Sequence, residues 1–112
     1  MSIERLQQAI RRCKTPVALG LRADERVIKP ALLRQFTEMY GEGAVATAEA
    51  LRYDGCRVLA GAAGILPAVY LDAGSYLRLG SVGMDVLSNL CSAAAGHGYY
   101  VIVDCRVSEP GV

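Results

Sequence analysis

The sequence has no tryptophan, one phenylalanine, one histidine and only two lysines. Each scarcity removes a class of function. His97 stands between Gly96 and Gly98 with no partner nearby for a metal site or a catalytic dyad, so it reads as a residue at or beyond a helix end. Four cysteines (Cys13, Cys56, Cys91 and Cys105) are widely spaced, with no C-x-x-C pair. That spacing excludes a zinc site and points to buried free thiols in a reducing compartment. Twelve basic residues against eleven acidic ones leave a net charge of +1, without the basic stripe that nucleic acid or an anionic membrane requires. No apolar run reaches the ~18–20 residues of a membrane-crossing helix. The start, Met1 to Leu6, lacks the charged-then-apolar pattern of a secretory signal. The expectation is a cytoplasmic chain that engages neither membrane nor nucleic acid and needs no metal.

What is present is apolar. Hydrophobic residues make up 53% of 112 positions and charged residues 21%, enough to build one core and too little charge for disorder. Residues 1–112 therefore form a single domain. Ile3, Leu6 and Ile10 recur at helical spacing over the first twelve residues, with Ser2 as cap and Arg11, Arg12 and Lys14 as a solvated helix end. After Pro16, the run 17–21 is too short for a helix and fits a buried parallel strand. A helix begins at Pro30, with Leu32, Leu33, Phe36, Met39 and Tyr40 on one face. Gly41 and Gly43 interrupt it, and an Ala-rich helix follows over 45–59, broken near Asp54 and Gly55. The run 65–71 predicts a second strand with its proline placed early, where a missing N–H is tolerated. A helix over 82–95 stops at Gly96-His97-Gly98, and 99–103 predicts a third strand closing at Asp104. The tail from Val107, with Pro110 and Gly111, has no helical period.

Gly41-x-Gly43-x-x-Ala46 matches a loose dinucleotide fingerprint but follows a helix, so it reads as a helix break. Gly61 to Gly64 reads as a flexible approach to the second strand. The six tyrosines are not interleaved with basic residues and are expected in the core or on the sheet.

Strands separated by helical crossovers predict an α/β fold with a parallel sheet, in which function gathers beyond the carboxyl ends of the strands. Those ends hold Arg22 with Asp24, Tyr70 with Asp72, and Asp104 with Arg106 and Glu109. Alternation places Arg106 on the same face as Asp104 if the strand continues, as a strand-end ion pair or as a remnant anion or ligand site.

Four stretches together resemble the N-terminal part of bacterial orotidine 5'-phosphate decarboxylase, in its longer-chain branch. They are Met1 to Leu6 for the leading helix, Val17 to Leu21 for a first strand that normally ends Gly-Leu-Asp, Leu66 to Val69 for the approach to Pro-Ala-Val-Lys, and Gly98 to Asp104 for the strand entering Asp-x-Lys-x-x-Asp. The resemblance implies a (β/α)8 barrel that decarboxylates orotidylate without a cofactor, using an alternating lysine–aspartate network. It also implies a dimer in which one motif aspartate reaches the neighbouring site.

This chain departs from that pattern at the charged positions. Arg22 stands where the first aspartate belongs and Tyr70 where the second strand presents lysine. Asp104 matches, but Arg106 replaces the motif lysine and Glu109 its second aspartate. A guanidinium with a pKa above ~12 is a poor proton donor to carbon. Lys14 and Lys29 fall before the first strand and in the loop after it, away from the proton's destination. A whole barrel needs about 250 residues and grips phosphate after its seventh and eighth strands. The expectation is three βα units, resembling the first part of the barrel and unable to close alone, with open edges and an apolar inner face. That predicts a truncated, non-catalytic relative with at most weak affinity for a pyrimidine nucleotide, forming a homo-oligomer or docking on another protein. The alternatives are an active decarboxylase completed by oligomerisation or a second chain, and a small ligand-binding or interaction module.

Overall fold

The computed structural model describes residues 3–24, 26 and 28–105. Eight elements follow in order: α1 (Ile3–Cys13), β1 (Ala18–Leu21), α2 (Pro30–Tyr40), α3 (Ala44–Ala62), β2 (Ala68–Asp72), α4 (Ala73–Leu77), α5 (Ser81–Gly96) and β3 (Tyr100–Asp104). The strands form one open parallel sheet in the order β1-β2-β3, so β2 is central. The fold is α/β, built of βα units and not closed into a barrel. Among the described residues no helix is long and apolar enough to cross a membrane.

The helices cover one face of the sheet. Along β2, Val69 and Leu71 are fully buried among Leu59, Val86 and Leu90, while Tyr70 between them and Asp72 after them stay partly open. Alternate strand residues point to opposite faces, so one face is core and the other is not. Leu19, Leu21 and Val101 join the core from the flanking strands. The opposite face carries Ala18, Gly20, Ala68, Tyr70, Asp72, Tyr100, Ile102 and Asp104, mostly small or apolar residues with two carboxylates at the carboxyl end. The molecule is accordingly flat, 44 × 34 × 19 Å, a thickness of one sheet and one helix layer.

Several local expectations need correcting. The strand at 17–21 is an exposed edge, with Ala18 and Gly20 open to solvent, because β2 lies on one side of it only. The Ala-rich helix runs through Asp54 and Gly55 without a break. Gly55 serves the packing of α3 on α5: a Cβ there would lie 2.8 Å from Leu90 Cδ2. The strand predicted at 65–71 begins later, at Ala68, and reaches Asp72, and α4 was not predicted at all. Tyr99 lies outside β3, where its buried hydroxyl donates to the Leu59 carbonyl at 2.6 Å. Tyr40 and Tyr53 are surface residues that pack their rings on Phe36, outside the core. All four cysteines are free, but none is fully buried and Cys105 is exposed. The Ser2 cap and the tail lie outside the described residues.

The glycine pair 41 and 43 does join two helices, with φ of +80° and +130° that L side chains rarely adopt. Gly83 has another role. It sits against the end of α4, where a Cβ would come 1.9 Å from the Tyr76 carbonyl oxygen. Alanine gains about 1 kcal/mol over glycine in a helix, whereas overpacking costs about 3 kcal/mol when backbone must move. Gly83→Ala is therefore expected to destabilise by about 2 kcal/mol in urea unfolding. Gly61→Ala, in open space on α3, should stabilise by roughly 0.5–1 kcal/mol.

Candidate functional site

The carboxyl ends of the three strands meet on one edge of the slab. Register sets Tyr70 beside Ile102 and Asp72 beside Asp104. Tyr70 and Asp104 are thus diagonal neighbours on the open face, and the Tyr70 hydroxyl donates to Asp104 Oδ2. Both side chains are half-buried. Asp72 and Asp104 are partners in the same register. Hydroxyl and carboxylates together form a polar edge suited to hydrogen-bonding a ligand's amide or hydroxyl groups.

The loop after β1 is held to this edge through its backbone. The Ala23 amide donates to Ser75 Oγ at 2.8 Å, and Ser75 Oγ donates to the Asp72 carbonyl at 2.7 Å. Arg78 Nη2 donates to the Ala23 carbonyl at 2.8 Å. Ser75 is buried, and its one hydroxyl ties the exits of β1 and β2 together. Sequence reasoning missed both Ser75 and Arg78. A five-residue helix shows no period, and neither residue carries a motif.

Of the predicted site residues, the structure brings Tyr70 and Asp104 together. Arg22 does not join them: it is exposed at the end of β1, and its neighbour Ala23 makes the contacts to α4. Arg106 and Glu109 lie outside the described residues, and β3 ends at Asp104. Asp24 is engaged with Arg26, which donates from Nε to Oδ1 and from Nη2 to Oδ2, both at 2.9 Å, and from its backbone amide at 3.0 Å. These hydrogen bonds hold the Asp24 carboxyl at about 2, against its ordinary 3.8. Among the described residues no three His, Cys, Asp or Glu side chains come together to hold a metal ion.

These features define an open α/β sheet with a hydroxyl–carboxylate edge at its carboxyl end. Comparison with protein-family models, curated proteins and solved structures gives no match.

Two outcomes test this geometry. Ser75→Ala leaves the buried Ala23 N–H unpaired, and should cost about 1–3 kcal/mol in urea unfolding with the two loops losing amide protection together. The Asp24 carboxyl should titrate near 2 by NMR and return toward its ordinary range in Arg26→Ala. Its folded value is depressed, so the pair's contribution to stability is complete above pH ~4 and is lost as the pH falls toward ~2.

Proposed function

We propose that this chain is a non-catalytic relative of the orotidine 5'-phosphate decarboxylase family, a cytoplasmic partial barrel whose open face takes a pyrimidine nucleotide weakly. The observation that carries this reading is the Tyr70–Asp104 contact. The family resemblance expects a lysine ammonium beside an aspartate at the ends of adjacent strands. Here a neutral phenol occupies the lysine's position, and its hydroxyl proton is engaged by that aspartate. Three parallel strands in sequence order fit the first units of such a barrel. The free cysteines fit a reducing compartment.

Catalysis of this decarboxylation needs an acid that delivers a proton to the carbon left behind, in a pocket from which water is excluded. Tyr70 and Asp104 sit on a partly open face, and neither lysine lies near them in sequence. Hydrogen-bonding a nucleotide's polar groups asks much less of the same atoms. Among the described residues β1 and β3 each pair on one side only, leaving backbone donors and acceptors for a second copy to meet. Self-association through these edges belongs to the same proposal.

Incubating the whole chain with orotidylate should give no uridylate above the uncatalysed rate, and measurable turnover would overturn the non-catalytic reading. Millimolar uridylate should shift the amide resonances around Tyr70 and Asp104. An unchanged spectrum would remove the nucleotide from the proposal. Light scattering should return a mass above the 11.9 kDa of one chain, whereas a monomer at every concentration would remove the edge pairing.

A further inference from the structure

A second site lies at the opposite end of the sheet from Tyr70 and Asp104. There α1 crosses the amino ends of β2 and β3 and leaves an open cleft of about 360 Å³. Arg5, Gln8 and Arg12 line it from α1, at spacings of three and four that put them on one helical face. His97 and Gly98, from the turn after α5, line it from the other side. The turn is fixed by glycine, since Gly98 has φ of +89°. Its carbonyl accepts from Arg12 Nη2 at 3.2 Å, which holds that guanidinium over the cleft. Thus the basic cluster expected as a solvated helix end splits, with Arg12 turned to a contact 86 residues away.

The charge of the lining is one-sided. Arg5 and Arg12 bring guanidinium groups, His97 adds an imidazole, and no aspartate or glutamate is among the described residues of the lining. The whole chain is near neutral, so this concentration of one sign is local. Ala9 and Leu66 add apolar surface, and the Tyr100 ring stands at the same wall. Guanidinium groups present forked donors that match phosphate oxygens. The volume is at the lower end of ligand sites, about 300–1,000 Å³, which suits a phosphate with a small organic body.

We infer that this cleft binds a small phosphomonoester, its phosphate held between the α1 arginines and the His97–Gly98 turn and its organic part against Leu66 and Tyr100. The site is independent of the decarboxylase reading, because it shares no residue with the Tyr70–Asp104 edge.

Phenyl phosphate is the probe, followed by ¹H–¹⁵N spectra of the whole chain, with benzoate as the matched carboxylate. Saturable shifts are expected at Gln8, Arg12, Gly98 and Tyr100, with half-saturation in the millimolar range. Benzoate should bind roughly tenfold more weakly, having one charge and two oxygens. Gln8→Glu, an exposed helix position, places a carboxylate in the cleft and should weaken phenyl phosphate roughly tenfold. His97→Gln should weaken it by about threefold. Arg34→Gln, on α2 away from the cleft, should leave binding unchanged. Three results would overturn the inference: no saturable shift at about 20 mM, wild-type affinity in Gln8→Glu, or shifts centred on Tyr70 and Asp104.

Discussion

The burial of one face of the central strand organises the rest of this molecule. Val69 and Leu71 have no accessible surface, while Tyr70 and Asp72 beside them do. Burying a Val or Leu side chain contributes about 1.5–3 kcal/mol, so this alternation fixes which face the helices must cover. A register slip of one residue would bring Tyr70 and Asp72 to the helices and put Val69 and Leu71 in water. The α3–α5 layer, with Leu59, Val86 and Leu90 against β2, follows from that choice.

The uncovered face then carries the polar side chains of the sheet. Strand alternation presents Tyr70, Asp72 and Asp104 there because the residues between them are committed to the core. Parallel strands bring all three carboxyl ends to one edge, and the Ser75 hydroxyl holds two of those exits together. At the other end, Tyr100 at the start of β3 shares a cleft with the arginine-bearing face of α1. Tyr76 and Tyr99 link the layers, and burial raises the pKa of both phenols, which keeps them neutral.

Most of the fold was legible because hydrophobic period differs between helix and strand. Ile3, Leu6 and Ile10 announce α1, Pro30 opens α2, and the glycines around His97 close α5. What was illegible depends on distant partners. Gly55 reads locally as a helix breaker, and only Leu90 across the layer explains why α3 runs on. An apolar four-residue strand looks the same at an edge as in the middle, so the exposure of β1 has no local signal. The rule that function lies at strand ends did single out Tyr70 and Asp104. Their contact, however, depends on a register joining residues 34 apart, and the Ser75 clamp on one joining residues 52 apart. Arg22 is exposed beyond β1, and it is the backbone of its neighbour Ala23 that is bound to Ser75 and Arg78.

The sheet has one core face and one open face. Urea unfolding of two matched truncations tests this most directly, one on each face. Leu71→Ala should cost about 2–5 kcal/mol, as expected for a fully buried leucine. Ile102→Ala, from the half-buried face beside Tyr70, should cost less than about 1.5 kcal/mol. Equal losses would mean that both faces are packed, and that Tyr70 and Asp104 belong to a core and not to a site.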